Sequence, residues 1–251
     1  MGINGPVGPN NTENVTVGAN PYGGTDYFVA CSTGNDSNNG TSISTPWKTL
    51  SKLNSSTGSM PVGSRILFKR GETCYGTINA YKSGTQSAPI EYTAYGSGSA
   101  PIISGTDKIT GTWTAHSGNI WKTTIAANLN PKYLFVNSDI QTVAKHPNTG
   151  WLTTASTTGS AITNSWIGTQ TAGALTGATV VFRSSPWSWE AEVVSSHSGS
   201  SISFPASNYA GNLSNGSWAN AGWGFLLENK LSLLDTAGEW YYNKTSGELY
   251  F

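Results

Sequence analysis

Residues 27–73 read YFVACSTGNDSNNGTSISTPWKTLSKLNSSTGSMPVGSRILFKRGET, and this stretch decides the fold. It contains a buried strand at 27–31, a polar Asn/Gly turn, a short helix and a second buried strand at 65–68. Thr45 and Pro46 are suited to begin the helix, whose apolar residues then recur every three positions. A unit of this size cannot bury its own apolar faces. We therefore expect it to be the start of a larger stack of strands.

The composition favours an all-β protein. Charged residues make up 10% of the chain and there are 30 Gly, which suits short strands and turns better than long helices. Short strands are expected at 77–81, 89–95 and 101–104. Their spacing is typical of stacked coils, although a β-sandwich would also give it.

The later part of the chain has a different pattern. Apolar and polar residues alternate in VNSDIQTVAKHP (136–147) and ATVVFRS (178–184), as in half-buried antiparallel strands. GEWYYN and ELYF, joined through Gly247, predict a hairpin close to the end of the sequence. We predict three regions: an extended N-terminal arm at 1–26, opening coils at 27–110, and a mostly antiparallel β region with a Trp-rich surface at 111–251.

The opening block resembles a known family. YFVACSTGNDSNNGT, STPWKTLSKLN, ILFKRGET and SGTQSAPIEYTAYGSGSAPIISG are similar to the N-terminal coils of secreted right-handed parallel β-helix proteins, which are pectate-lyase-like in fold. The later blocks KYLFVNSDIQTVAKHPNTGW and FLLENKLSLLDTAGEWYYNKTSGELYF look like elements that this family inserts before its β-helix resumes. The resemblance implies parallel β-helix coils with a short capping helix, followed by an inserted antiparallel region.

The same resemblance implies a function. The family contains many glycoside hydrolases and polysaccharide lyases, and its catalytic acids lie on later coils than those present here. We therefore expect an extracellular or cell-surface protein that is the N-terminal part of a polysaccharide-degrading enzyme, with catalytic residues outside this chain. Two alternatives stay open: a non-catalytic glycan-binding or adhesive domain, and a filament subunit that self-associates through residues 1–26.

Several partner classes are excluded by charge and hydropathy. The chain has 13 basic and 13 acidic residues and no basic stripe, so we expect no nucleic-acid partner. It has no apolar run long enough to span a membrane. Residues 1–26 lack the apolar segment of a signal peptide, so a leader is expected to be absent or removed.

The two cysteines, Cys31 and Cys74, each follow or end a predicted strand. A disulfide between them would suit an oxidising compartment, but two buried thiols would fit the sequence equally well.

No set of residues predicts a catalytic centre, a cofactor or a metal site. Glu190 with Glu192, and Asp235 with Glu239, are carboxylates close in sequence, as glycoside hydrolysis needs, but a solvated strand face and a structural turn explain them as well. The three histidines lack metal-type spacing. An Asx-rich turn accounts for GNDSNNG (34–40) without calcium.

Tryptophan carries the remaining functional signal, because exposed indole faces can stack on sugar rings. If PWSWEAE (186–192) is a strand, Trp187 and Trp189 point to the same side. Most tryptophans are expected in the core, since the side chain is highly buried on average. The predicted carbohydrate-binding set is Trp187, Trp189, Trp218, Trp223, Glu190 and Glu192.

Overall fold

A computed structural model describes residues 13–158, 160–205 and 219–251. The chain divides into two compact units, 1–109 and 110–251. Strands dominate both units, which confirms the predicted mostly β class. Trp218 and the first twelve residues of the predicted arm lie outside the described residues.

The first unit is built on parallel strand pairs. Its elements are β1 (Glu13–Val15), β2 (Asp26–Val29), α1 (Leu50–Thr57), β3 (Arg65–Lys69), β4 (Thr73–Tyr75), β5 (Glu91–Gly98) and β6 (Ile102–Ser104). Strands β2, β3 and β5 form a parallel ladder, and β4 pairs in parallel with β6. β2, β3 and β5 therefore run in one common direction, and β4 and β6 run in a common direction in their own sheet. β1 of the arm adds antiparallel to β5 of the same chain.

The helix begins later than the sequence predicts. Thr49 caps α1 by accepting the Lys52 N–H, and Trp47 lies outside the helix in a bridge to Val29. Asp36 explains the shift, because its carboxylate accepts the backbone N–H groups of Lys48 and Thr49 and so fixes the chain just before the helix. The strand expected at 77–81 is absent from the described residues.

The core of this unit lies between α1 and the parallel ladder. Apolar side chains of the helix and strands fill it: Val29, Trp47, Leu50, Leu53, Met60, Ile66 and Phe68. Burying side chains of this size is the main stabilising contribution to such a small unit. Cys31 and Cys74 form a disulfide, and Cys74 belongs to this core, which confirms the disulfide interpretation of the two cysteines.

The second unit is mostly antiparallel. Its strands are β7 (Thr114–Ser117), β8 (Ile120–Thr124), β9 (Leu134–Val136), β10 (Asp139–Val143), β11 (Lys145–His146), β12 (Leu152–Thr153), β13 (Ser156–Thr157), β14 (Ala161–Thr163), β15 (Thr179–Ser185), β16 (Ser188–Val193), β17 (Ser196–Ser198), β18 (Ser201–Ser203), β19 (Gly224–Glu228), β20 (Glu239–Asn243) and β21 (Glu248–Tyr250). Short 3₁₀ helices lie at Ile167–Thr169 and Leu231–Leu233.

Three sheets organise these strands. A six-stranded sheet has the order β7-β8-β21-β20-β10-β9, with one parallel pair, β10 and β20. It contains the predicted β20–β21 hairpin, in which Gly247 has a φ of 73°. A four-stranded sheet has the order β13-β14-β18-β17, and β11, β12, β19, β15 and β16 form the sheet that carries the candidate site.

Candidate functional site

The site-bearing sheet has one face against the core and one face away from it. Val180 and Phe182 of β15, with Phe225 and Leu227 of β19, are buried in the core cluster. Because side chains alternate along a strand, the neighbouring residues point to the opposite face. Arg183 and Trp189 are paired across β15 and β16 on that second face, and Gly224 of β19 shares it.

Two tryptophans meet on this second face. The rings of Trp151 and Trp189 stack with centroids 4.2 Å apart and an interplanar angle of 27°. The two residues remain 49% and 46% exposed. We call Trp151 and Trp189 the indole pair. Such a stack covers one face of each ring and leaves about half of each residue open to solvent.

Gly224 makes room for the indole pair. A Cβ added at this position would lie 3.2 Å from Cβ of Trp151 and 3.7 Å from Cη2 of Trp189. The 3.2 Å contact with Cβ of Trp151 is tighter than most Cβ contacts in proteins, so a side chain at position 224 would push Trp151 away. The glycine therefore lets the Trp151 side chain lie against the strand and reach Trp189.

Arg183 braces the turn beside the indole pair. Its guanidinium donates from Nε to the Ser185 carbonyl at 3.1 Å and from Nη2 to the Pro186 carbonyl at 2.6 Å. It also lies over the ring of Trp223, 5.3 Å from the centroid. Trp187, in the turn that Arg183 holds, is 85% exposed.

The structure brings together only part of the predicted carbohydrate-binding set. Trp189 lies in the indole pair, Trp223 lies under Arg183, and Trp187 lies in the turn rather than in the strand, because β16 begins at Ser188. Glu190 and Glu192 point away from Trp189, since Glu190 faces Phe182 and Glu192 faces Val180 across the ladder. The structure thus separates the two carboxylates from the exposed indoles.

Trp151 was missed by the sequence interpretation. It lies far from Trp189 along the chain, and no spacing connects them. The pairing of β12 and β15 with the same strand, β19, brings the two rings together.

The other carboxylate pair has a structural environment. Glu239 is 4% exposed and accepts the backbone N–H groups of Lys145, Asp235 and Thr236, each at 3.3 Å. Burial raises the pKa of Glu239, against the opposing effect of these hydrogen bonds, while the Asp235 charge raises it further. Asp235 itself accepts a hydrogen bond from Asn148 at 2.9 Å. The carboxylate of Glu239 therefore closes a turn.

Two of the three histidines, His146 and His197, are held by structural contacts. His146 stacks on Trp166 with ring centroids 3.7 Å apart, and burial lowers its pKa despite the nearby Asp235. Nε2 of the buried His197 lies 3.2 Å from the carbonyl oxygens of Ile167 and Gly199.

The described residues contain neither a metal-type cluster nor a helix that could span a membrane. Among residues 13–158, 160–205 and 219–251, no three or more His, Cys, Asp and Glu side chains group as a metal site would require. Within the same ranges, no helix combines the length and apolar character needed to cross a membrane.

Comparison with known proteins gives a partial match. No family model matches the chain. Over 75 residues the chain is 36% identical to the lacto-N-biosidase of Bifidobacterium longum subsp. longum, an alignment that covers 29% of this chain and 5% of that protein. The chain thus spans a small fraction of the length of this curated relative.

Solved structures give a broader match. A structure described as a glycoside hydrolase superimposes with a TM-score of 0.68 over 90% of this chain and 43% of its own, at 18% identity. The GH136 lacto-N-biosidase from Eubacterium ramulus is 29% identical over 29% of this chain and 11% of its own, with a TM-score of 0.27. The first likeness concerns the fold, and the second superposition is too poor to support an argument. The structure that superimposes well is described as a glycoside hydrolase, and the likeness to it is one of fold.

Proposed function

We propose that this chain is the N-terminal part of an extracellular glycoside hydrolase built on a right-handed parallel β-helix. The observation that carries the proposal is the backbone likeness to a glycoside hydrolase over 90% of the chain. The parallel ladders β2-β3-β5 and β4-β6 agree with it, because stacked coils pair each strand with the corresponding strand of the next coil. The disulfide agrees with an oxidising, extracellular compartment.

In this proposal the catalytic acids come from residues other than the carboxylates described above. Hydrolysis of a glycosidic bond needs two carboxyl groups that both face the substrate. Glu239 is engaged with three backbone N–H groups, while Glu190 and Glu192 lie on the core side of β16. The role we assign to this part of the enzyme is to support the β-helix and to contact the glycan.

The test is an assay of the polypeptide as its gene encodes it, beside the 251-residue chain alone. The local identity to a lacto-N-biosidase makes lacto-N-biose-containing glycans the first substrates to try, followed by a wider panel of neutral polysaccharides. We expect glycan hydrolysis by the native polypeptide and none by the 251-residue chain. A native polypeptide that hydrolyses no member of the panel would contradict the proposal.

A second candidate function is a non-catalytic glycan-binding domain, and the half-exposed indole pair favours it. Measuring glycan binding as well as hydrolysis on the same samples separates the two candidate functions. Glycan binding without hydrolysis by the native polypeptide would favour the second.

A further inference from the structure

We infer that the indole pair and Trp187 form a stacking site for a neutral oligosaccharide of at least two sugar rings. The assignment of a carbohydrate as ligand rests on the proposed function. The geometry of the site is independent of the proposed function, because it follows from the stack of Trp151 on Trp189 and from the exposure of all three indoles.

The indole pair is a pre-formed surface. Indoles bury large apolar areas, so two rings left about half exposed side by side suggest a surface adapted for contact. The stack and the space over Gly224 fix the ring positions before any ligand arrives. Little side-chain freedom would then be lost on binding, which favours affinity.

A sugar ring matches such a surface chemically. The face of an aromatic ring is electron-rich, while the C–H groups on the flat side of a pyranose carry small positive charges. The sugar hydroxyl groups point sideways and stay in contact with water. An aliphatic ligand would gain less, because its C–H groups are less polarised.

The charged residues of β15 and β16 favour a neutral sugar. Arg183 is the basic residue on β15, and its guanidinium is occupied by the carbonyls of Ser185 and Pro186 and by the Trp223 ring. The acidic residues on β16, Glu190 and Glu192, point to the opposite face. These two strands therefore present no uncommitted charge to pair with a uronate or a sulfated sugar.

Trp187 extends the site so that it can hold a second sugar ring. It precedes Trp189 by two residues, so their Cα atoms can be at most about 7 Å apart. We assign the sugar ring next to the one on the indole pair to Trp187. Arg183 acts as a positioning residue, because it holds the two carbonyls of the turn that carries Trp187.

The test is glycan binding by the 251-residue chain, first on an array of neutral and acidic oligosaccharides. The strongest neutral tetrasaccharide and its disaccharide unit are then titrated by calorimetry. We expect Trp151→Ala and Trp189→Ala to weaken binding of both ligands about tenfold, as the loss of one central aromatic contact does. Trp187→Ala should also weaken binding of both ligands, because two linked sugar rings already span the indole pair and Trp187.

Matched controls keep the test specific. Trp121→Ala removes an equally exposed tryptophan, 50% exposed on β8, and should leave both affinities unchanged.

Gly224→Val should weaken binding by displacing Trp151 while all three indoles are retained. Trp151→Phe and Trp189→Phe should recover part of the affinity, and thermal melting of each variant verifies that it is folded.

Three results would overturn the inference. They are the absence of neutral oligosaccharide binding on the array, unchanged affinity in folded Trp151→Ala and Trp189→Ala, and a preference for acidic glycans. None of these readouts requires hydrolysis, so the inference and the proposed enzyme can fail separately. A native polypeptide that hydrolyses glycans while its indole variants bind normally would remove the stacking site alone.

Discussion

Cys31 and Cys74 form a disulfide that joins the segment after β2 to the middle of β4, with Cα atoms 5.3 Å apart. It connects the segment that follows β2, a strand of one parallel ladder, to β4 of the other ladder. The sequence separation of 43 residues includes α1 and β3. A cross-link of this kind limits how far the opening block can expand when it unfolds.

Removing the disulfide should therefore lower stability substantially. For a loop of this length the loss of chain entropy in the unfolded state predicts about 4 kcal/mol for the double variant Cys31→Ser, Cys74→Ser. The measurement is urea denaturation followed by fluorescence and circular dichroism. The unmodified protein with reductant should approach the stability of the double variant. Equal stability of all three samples would show that the cross-link contributes nothing.

Asp36 should stabilise the start of α1 in a pH-dependent way. Its Oδ1 accepts the N–H groups of Lys48 at 2.8 Å and Thr49 at 2.9 Å, and its Oδ2 accepts the Thr49 hydroxyl at 2.7 Å. Burial acts to raise the pKa of Asp36, but these hydrogen bonds and the Lys52 charge lower it below its ordinary value of 3.8. A depressed pKa means that this stabilisation is complete above pH 3.8 and is lost as the pH falls through the folded-state pKa.

The variant Asp36→Asn should lose about 1 kcal/mol at pH 7, as is typical for a capping contact. Its difference from the unmodified protein should shrink below pH 3.8. Denaturant titrations at pH 7 and pH 3 measure both quantities. A difference that stays constant over this range would argue against the ionised capping contact.

Glu239 is expected to matter for folding through its hydrogen bonds. Glu239→Ala leaves three backbone N–H groups without their acceptor, and we expect a loss of about 2–3 kcal/mol in the free energy of unfolding. Glu239→Gln keeps one acceptor oxygen and is the matched control, with a smaller loss. Near-equal losses for the two variants would mean that packing, and not hydrogen bonding, is what Glu239 supplies.

The pKa of Glu239 predicts the sign of the pH effect. Because burial raises this pKa above the ordinary 4.5, the contribution of the carboxyl group is complete below pH 4.5 and declines as the pH rises through the folded-state pKa. The stability of the unmodified protein relative to Glu239→Gln should therefore decrease from pH 4.5 upwards. An increase over that range would contradict the raised pKa.

Gly40 should tolerate no larger residue. Its φ is 75°, and an added Cβ would overlap the Trp47 indole, which stacks on Tyr27 and donates from Nε1 to the Asn38 carbonyl at 3.0 Å. Backbone strain and overpacking together predict a loss of about 2–4 kcal/mol for Gly40→Ala. Gly58→Ala is the control, because its φ is −61° and a Cβ there meets nothing within 4 Å. Similar melting temperatures for the two variants would refute the prediction.

Much of the fold could be predicted locally. Apolar runs such as 27–31 and 65–68 predicted buried strands, and the two strands pair in the described structure. The β20–β21 hairpin was also predictable, because a turn with Gly247 is a local property. The start of α1 was not, because the side chain of Asp36, distant in sequence, fixes the residues before it.

The candidate site was only partly predictable for the same reason. Exposed tryptophans near 187–189 were expected from the sequence, and the structure describes both as exposed. The partner of Trp189 was not predictable, because β12 and β15 are separated in sequence and become neighbours of β19 only when the sheet forms.

The sequence by itself determined the mostly β class, the buried strands of the opening block and the turn chemistry, because these depend on the preferences of neighbouring residues. The tertiary structure alone decided which face each strand turns to the core. That choice sent Glu190 and Glu192 inward, left Trp189 outward, and brought Trp151 over Gly224 to meet it. The physical reason is that strand register and sheet order depend on burying the whole apolar set at once, which no short segment specifies.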